Sequence, residues 1–291
     1  MGLLRGRAVT PRQAILVSRL GRAATLAILV IGITWCLIPL YVMATMAFKT
    51  PAEVATSSIW AFPRQPTLAN FKEVLGSPNV VFALLFKNTV FIAVVNTVGV
   101  VLTSSLAAYA FGRMRFAGRD RLFIVLLSTM MLPGIVTMIP SYVVFAKIGW
   151  VDTFLPLTVP AFFGGGAFNI FLLRQFFGSI PRELDEAAVL DGAGHWTIFR
   201  HVILPLSGPA LATVGVFTFV GSWRDFMGPL LYLNDSAKQT LEVGLSTYNA
   251  LRAEKFHLMM AASLMVMLPL ILLFLVGQRY FVKGIVMTGL K

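Results

Sequence analysis

Charge is scarce in this chain, and acid is scarcer than base. Only 12% of its 291 residues are charged, with 12 Asp and Glu against 24 Lys and Arg. A soluble domain carries about 25% charged residues, so an ordinary soluble globular protein is excluded. The single cysteine, Cys36, has no partner within the chain. It sits in an apolar run and reads as a small core residue rather than a reactive thiol. The three histidines, His195, His201 and His257, are all expected in loops, and no HExxH or GxSxG arrangement occurs. An intramembrane enzyme would need such groups at membrane depth, and no metal site is expected. No GxxxxGK(S/T) phosphate loop is present either, so nucleotide chemistry is not expected in this chain. No repeat of 20–50 residues is visible, which excludes a solenoid or array.

What the chain has in abundance is apolar sequence. Hydrophobic residues make up 57% of it and the mean hydropathy is +0.82. Apolar runs of about twenty residues, each enough to cross a bilayer as a helix, recur along its length. They predict an all-α polytopic membrane protein with six transmembrane helices at about 23–46, 85–111, 122–145, 153–177, 210–233 and 258–276, forming a single transmembrane domain over 1–291. The first run is too long for a signal-peptide core and reads as a signal-anchor helix. Pro39 falls inside it, Pro133, Gly134 and Pro140 interrupt the third run, and Gly164, Gly165 and Gly166 fall within the fourth. A surface helix is predicted near 68–75.

The net charge of +12 does not signal nucleic acid, because the cations cluster in short loops beside apolar spans. Arg5, Arg7, Arg12, Arg19 and Arg22 precede the first span; Arg113, Arg115, Arg119 and Arg121 follow the second; Arg279, Lys283 and Lys291 lie in the tail. By the positive-inside rule, both termini are cytoplasmic.

One long polar stretch stands out in the second half, SIPRELDEAAVLDGAGHWTIFRHVILPLSGP over residues 179–209. Pro181 suits the first turn of a helix, and Glu183, Asp185 and Glu186 favour its positive end. Leu184, Ala187 and Ala188 form a small apolar face, and Gly192 and Gly194 are expected to stop the helix. A second short helix, with Trp196, Phe199 and Ile203 on one side, is expected to run until Pro205 and Pro209 bend the chain back.

This stretch resembles the signature loop of the inner-membrane permease subunits of ATP-binding-cassette importers. The residues that carry the likeness are Glu186-Ala187-Ala188, then Val189-Leu190-Asp191, Gly192, and Leu204-Pro205 after a hydrophobic run. The run Thr67-Leu68-Ala69-Asn70-Phe71, Asn88-Thr89, Ala107-Ala108-Tyr109-Ala110-Phe111, Trp223-Arg224-Asp225-Phe226, Pro229-Leu230 and Gln278-Arg279-Tyr280-Phe281 are similar to features of carbohydrate importers of the maltose type. The likeness covers nearly the whole chain after residue 24.

The resemblance implies a type I ABC importer permease fold and a chain that is the smaller, six-span permease of a pair. It implies as partners a second, different permease subunit, two copies of a cytoplasmic ATPase and an extracytoplasmic sugar-binding protein, in a bacterial or archaeal cytoplasmic membrane. ATP and Mg would be bound by the ATPase, with no cofactor in this chain. Residues 178–209 would form a coupling loop in which Glu186, Ala187, Ala188, Asp191, Gly192 and Ala193 meet the ATPase. The tail after Arg279 either reaches toward that ATPase or simply flanks the membrane.

Candidate translocation-path residues are Asn96, Asn169, Trp223, Arg224 and Asp225. Arg224 stands where the family pattern has Asn. An ionisable pair inside a span faces an interior or a water-filled cavity. Arg224 and Asp225 therefore either hydrogen-bond sugar hydroxyls or satisfy each other, and mutual pairing is the commoner solution. Asn96, Asn169 and Gln175 also suit helix-to-helix glue. Trp223 and Tyr232 are expected as interfacial anchors more than as stacking platforms for sugar rings. The expected cargo is a sugar, with a glycerol phosphate ester as the alternative. An ion-coupled secondary transporter is a more distant alternative, since such carriers use intramembrane acids and repeated halves.

Overall fold

The computed structural model describes residues 11–78, 81–251 and 255–288, with side chains over 21–78, 81–251 and 255–278. The arginines up to Arg19 and the tail residues Arg279, Lys283, Gly284, Gly289 and Lys291 lie outside those side chains. Every regular element among the described residues is helical.

In chain order these are α1 (Pro11–Phe48), α2 (Pro51–Thr56), α3 (Ala69–Leu75), α4 (Phe82–Arg113), α5 (Arg119–Ser128), α6 (Gly134–Lys147), α7 (Leu155–Thr158) and α8 (Ala167–Ser179). After these come α9 (Glu183–Leu190), α10 (His195–Ile198), α11 (Leu204–Leu206), α12 (Gly208–Trp223), α13 (Met227–Tyr232), α14 (Leu241–Leu251) and α15 (Phe256–Thr288).

Four helical segments are long and apolar enough to cross a bilayer, Gly21–Phe48, Phe82–Arg113, Leu155–Ser179 and Phe256–Gln278. The number reaches six when each of two bent pairs is taken as one span. Arg119–Met131 and Gly134–Lys147 meet at 97°, and His195–Leu206 and Gly208–Trp223 meet at 79°. The first bend falls at Pro133, whose missing N–H ends the incoming helix. Pro39, by contrast, lies inside a continuous α1.

The chain separates into two compact units, residues 1–71 with 255–264, and residues 72–254 with 265–291. In the first, the segment after α1 folds back on that helix's end. Asn70 Nδ2 donates to the carbonyls of Ala47 and Lys49, both at 2.8 Å, and so caps the end of α1. Phe71 packs on Phe48, with ring centroids 5.0 Å apart. Lys49 is fully buried, and its ammonium donates to the Ser58 carbonyl at 2.8 Å. A Thr50–Glu53 capping box starts α2. Cys36 departs from expectation: it is exposed on α1, amid large apolar residues such as Ile33 and Trp35 that are also exposed. An apolar helix surface suits lipid or another subunit as well as it suits a core.

The second unit is built on α4, against which α8 and α12 pack. Its core includes Ala108, Tyr109, Phe123, Leu173, Phe177, Ile198, Phe199, Ile203 and Val214. The fourth span is broken where the glycines stand. Gly164, Gly165 and Gly166 all have positive φ, at 102°, 62° and 85°. A Cβ on Gly165 would lie 2.8 Å from the Val100 carbonyl and 2.9 Å from Ser104 Cβ, so only glycine lets this backbone approach α4.

Candidate functional site

The polar stretch forms the helix–turn–helix its spacing predicts. Glu183, Asp185 and Glu186 occupy the first turn of α9, where the helix dipole favours anions. Pro181 lies just ahead of the helix rather than within it.

At the other end, Gly192 takes φ +83°. The Ala193 N–H donates to the Ala188 carbonyl at 2.9 Å and the Gly192 N–H to Val189 at 3.0 Å. That pair of bonds is a Schellman cap, which needs a left-handed residue where Gly192 stands. Gly194 does not share the role: its backbone is extended (φ −79°, ψ 168°) and it starts α10.

The next turn is wider than expected. Phe199–Ile203 is a π-helix just before Pro205, which has no N–H to continue a regular ladder. Its buried face is Ile198, Phe199 and Ile203. Trp196, expected on that face, is 62% exposed and lies against Phe199 with centroids 5.6 Å apart.

Most of α9 is exposed. Leu190 is 88% and Val189 58% accessible, and Glu186, Ala187, Asp191 and Gly192 are also exposed. Ala188 and Ala193 instead pack against the core. The six residues expected to couple therefore divide into four that face outward and two that seat the helix.

Sequence reading missed the anchor. Arg113, treated as one more loop cation, is a buried residue at the end of α4. Its Nη2 donates to the Ile180 carbonyl at 2.8 Å, and its Nη1 lies 3.4 Å from Asp185 Oδ2. Beside it, Tyr109 contacts Phe199 and His195. A cleft of 300 Å³ opens here between α4 and α9, lined by Tyr109, Arg113, Asp185, Glu186 and His195 among others.

The candidate path residues do not form one cluster. Asn96 on α4 donates to Ser222 Oγ at 3.1 Å, and Asn169 donates to the Gly165 carbonyl at 2.8 Å in the glycine break. Trp223 is 1% exposed, sits against Phe86 and Phe219 and donates to the Val266 carbonyl at 3.2 Å. Tyr232 is 8% exposed beside Tyr142 and Phe145. Both aromatics are packing residues within this chain, neither interfacial anchors nor open platforms.

Arg224 and Asp225 lie in the break between α12 and α13. No ion pair joins them among the described residues: Asp225 Oδ1 accepts from the Gly228 N–H at 3.1 Å and so caps α13. The acid that feels Arg224 is Glu242, which burial pushes above the ordinary carboxylate range and the guanidinium pulls back.

The loops at the far ends of α6 and α13 are joined through Asp152, which has φ +62°. Its Oδ1 accepts from the N–H groups of Asn234 and Asp235 at 3.0 and 2.9 Å. Lys238 Nζ donates to its Oδ2 at 2.7 Å and to its carbonyl at 2.9 Å. The hydrogen bond from Lys238 holds the Asp152 carboxyl below its usual range, and the same bond pushes the Lys238 ammonium above its own. Asn88 donates to the carbonyls of Ala237 and Gln239, and Thr89 accepts from the Leu241 N–H, which gives the Asn88-Thr89 motif a structural role. Among the described residues no cluster of His, Cys, Asp and Glu is able to hold a metal ion.

Comparison with known proteins agrees with this architecture. The alginate-importing bacterial ABC transporter contains a chain that superposes with a TM-score of 0.80 and 25% identity, over 91% of this chain and 98% of that one. The trehalose/maltose transport system permease protein MalG of Thermococcus litoralis is 33% identical over 257 residues, 88% of this chain and 92% of its own length. The sn-glycerol-3-phosphate transport system permease protein UgpE of Pectobacterium atrosepticum is 35% identical over 264 residues, 89% and 93% of the two chains. Residues 99–286 match the family model described as "Binding-protein-dependent transport system inner membrane component". With that model spanning more than half of the sequence, the chain belongs to the family of binding-protein-dependent transport system inner membrane components, the permeases of ABC importers.

Proposed function

We propose that this permease moves a sugar, a disaccharide or oligosaccharide, across a bacterial or archaeal cytoplasmic membrane, driven by a separate ATPase through residues 178–209. In the working transporter it pairs with a second permease subunit, two copies of a cytoplasmic ABC ATPase and an extracytoplasmic sugar-binding protein. ATP and Mg belong to the ATPase, and this chain performs no bond chemistry. Six spans with both termini and the coupling loop in the cytoplasm put α9 beside that partner.

The observation that carries the reading is the form of α9. It is an exposed helix, closed at its C-terminal end by the Gly192 turn, whose outward residues are Glu186, Ala187, Asp191 and Gly192, while Arg113 holds it to α4 through Asp185 and Ile180. A partner that grips α9 pulls on α4, and on α8 and α12 packed to it, as one body. Small residues at the grip let two backbones come close, and the two acids offer charge to cationic or N–H groups. Asn96, Asn169, Arg224 and Asp225 are the polar groups this chain would offer the path, and Trp223 is buried against Phe86 and Phe219.

The sugar assignment leans on relatives such as the trehalose/maltose permease. The glycerol-phosphate permease is as similar, and Arg224 gives an anionic ester a natural counter-charge, so that cargo stands as the second reading. Uptake into proteoliposomes of the assembled transporter, with a panel of labelled sugars and glycerol phosphate esters presented by its binding protein, tests both. ATP-dependent, vanadate-sensitive uptake of a sugar supports the first; uptake of the ester alone replaces it with the second.

A further inference from the structure

A second cavity lies beside the α4–α9 cleft and exceeds it in volume. It is a bay of 710 Å³ lined by Arg115, Phe116, Gly118, Arg119, Asp120, Arg121 and Arg182. The one acid present is already engaged: Asp120 Oδ1 accepts from Arg119 Nε at 2.9 Å and lies 3.9 Å from Arg174 Nη2. Arg119 also donates to the Met114 carbonyl at 3.3 Å. Arg115, Arg121 and Arg182 take part in no ion pair among the described residues; Arg115 and Arg182 also line the α4–α9 cleft with Asp185 and Glu186, and the excess of guanidiniums over the one acid leaves the bay cationic. Gly118, at φ +80°, starts α5 there.

The apolar surface of α5 identifies the setting. Leu122, Ile124 and Val125 are 54%, 66% and 62% exposed, and Phe116 is 40% exposed. Guanidiniums directly beside an exposed apolar helix surface mark the depth at which headgroups meet acyl chains. An anionic lipid matches both parts, phosphate on the arginines and chains along α5.

We propose that this bay binds the phosphate group of an anionic phospholipid. The forked donors of arginine suit phosphate oxygens, and the exposed position makes the affinity fall as salt rises.

The test uses the full-length chain purified in detergent, with native mass spectrometry reading bound lipid. Phosphatidylglycerol, phosphatidylcholine and inorganic phosphate are each titrated against the native chain, the variant R115Q/R121Q/R182Q and the charge-keeping R115K/R121K/R182K. The native chain is expected to retain phosphatidylglycerol over phosphatidylcholine, with affinity reduced on the order of a hundredfold in the glutamine variant and largely kept in the lysine one. An unchanged melting temperature shows that the glutamine variant is folded. Equal retention of both lipids, or unchanged phosphatidylglycerol binding in the glutamine variant, overturns the site. Inorganic phosphate binding as tightly, with the same loss, reassigns it to a soluble phosphate. A glutamine variant that keeps its lipid but sheds the ATPase from the purified transporter shows that the arginines serve a protein interface, and the lipid site falls.

Discussion

Arg113 is where a single side chain decides most. Its side chain is 2% exposed and that of Asp185 21%, so removing one leaves the other poorly solvated and alone. Arg113→Gln is expected to lower stability by ~2–4 kcal/mol and to loosen α9, read as earlier thermal unfolding and faster proteolysis between residues 180 and 195. An unchanged melting curve would make the pair ornamental. Gly165 is the second such residue. Gly165→Ala combines a left-handed φ with a clash against the Val100 carbonyl, and is expected to cost about 2 kcal/mol or more. Circular dichroism melts of the detergent-solubilised chain would register it, and a wild-type melt would show that α8 shifts freely on α4.

Among the elements, long apolar runs and the Gly192 turn were legible because hydrophobic length and a left-handed glycine leave direct marks in sequence. The Arg113 anchor was not, since a buried cation and a loop cation look alike until the fold brings Ile180 and Asp185 to it. Nor was the role of Asp225: local capping competed with pairing to Arg224, and the backbone amide of Gly228 was the nearer partner. Trp196 was misplaced because the face that the core covers there is that of Ile198 and Phe199, which leaves Trp196 at its exposed edge.

The Asp152–Lys238 brace was equally hidden, being a contact across more than eighty residues. It makes the loops sensitive to pH. The carboxyl sits below its ordinary value, so its contribution is present above about pH 4 and is lost as pH falls through the depressed value; the ammonium sits above its own, so its contribution is present below about pH 10 and is lost as pH rises through the raised value. Spin labels at Gly149 and Ser236 should keep one narrow distance between those limits and broaden outside them, and Lys238→Gln should broaden it at pH 7. A distance insensitive to both would mean that the loops are held by the Asn88 and backbone contacts alone.

At the scale of the whole molecule, the proposed coupling makes the exposed α9 a handle, and α4 with α8 and α12, which pack together, what the handle would move. On that proposal the outer face of α9 should be essential for transport and dispensable for folding. Gly192→Pro removes the cap's N–H and forbids φ +83°, so it should abolish uptake while the chain is still inserted, with membrane-fraction immunodetection as the control. The most direct measurement is ATP-driven, binding-protein-dependent uptake by the assembled transporter carrying Glu186→Lys, a change on the exposed face of α9. Uptake should fall by about tenfold or more, a loss of at least ~1.4 kcal/mol in the coupled step, with ATP hydrolysis no longer stimulated by the loaded binding protein. Uptake at the wild-type rate would contradict the role given to α9.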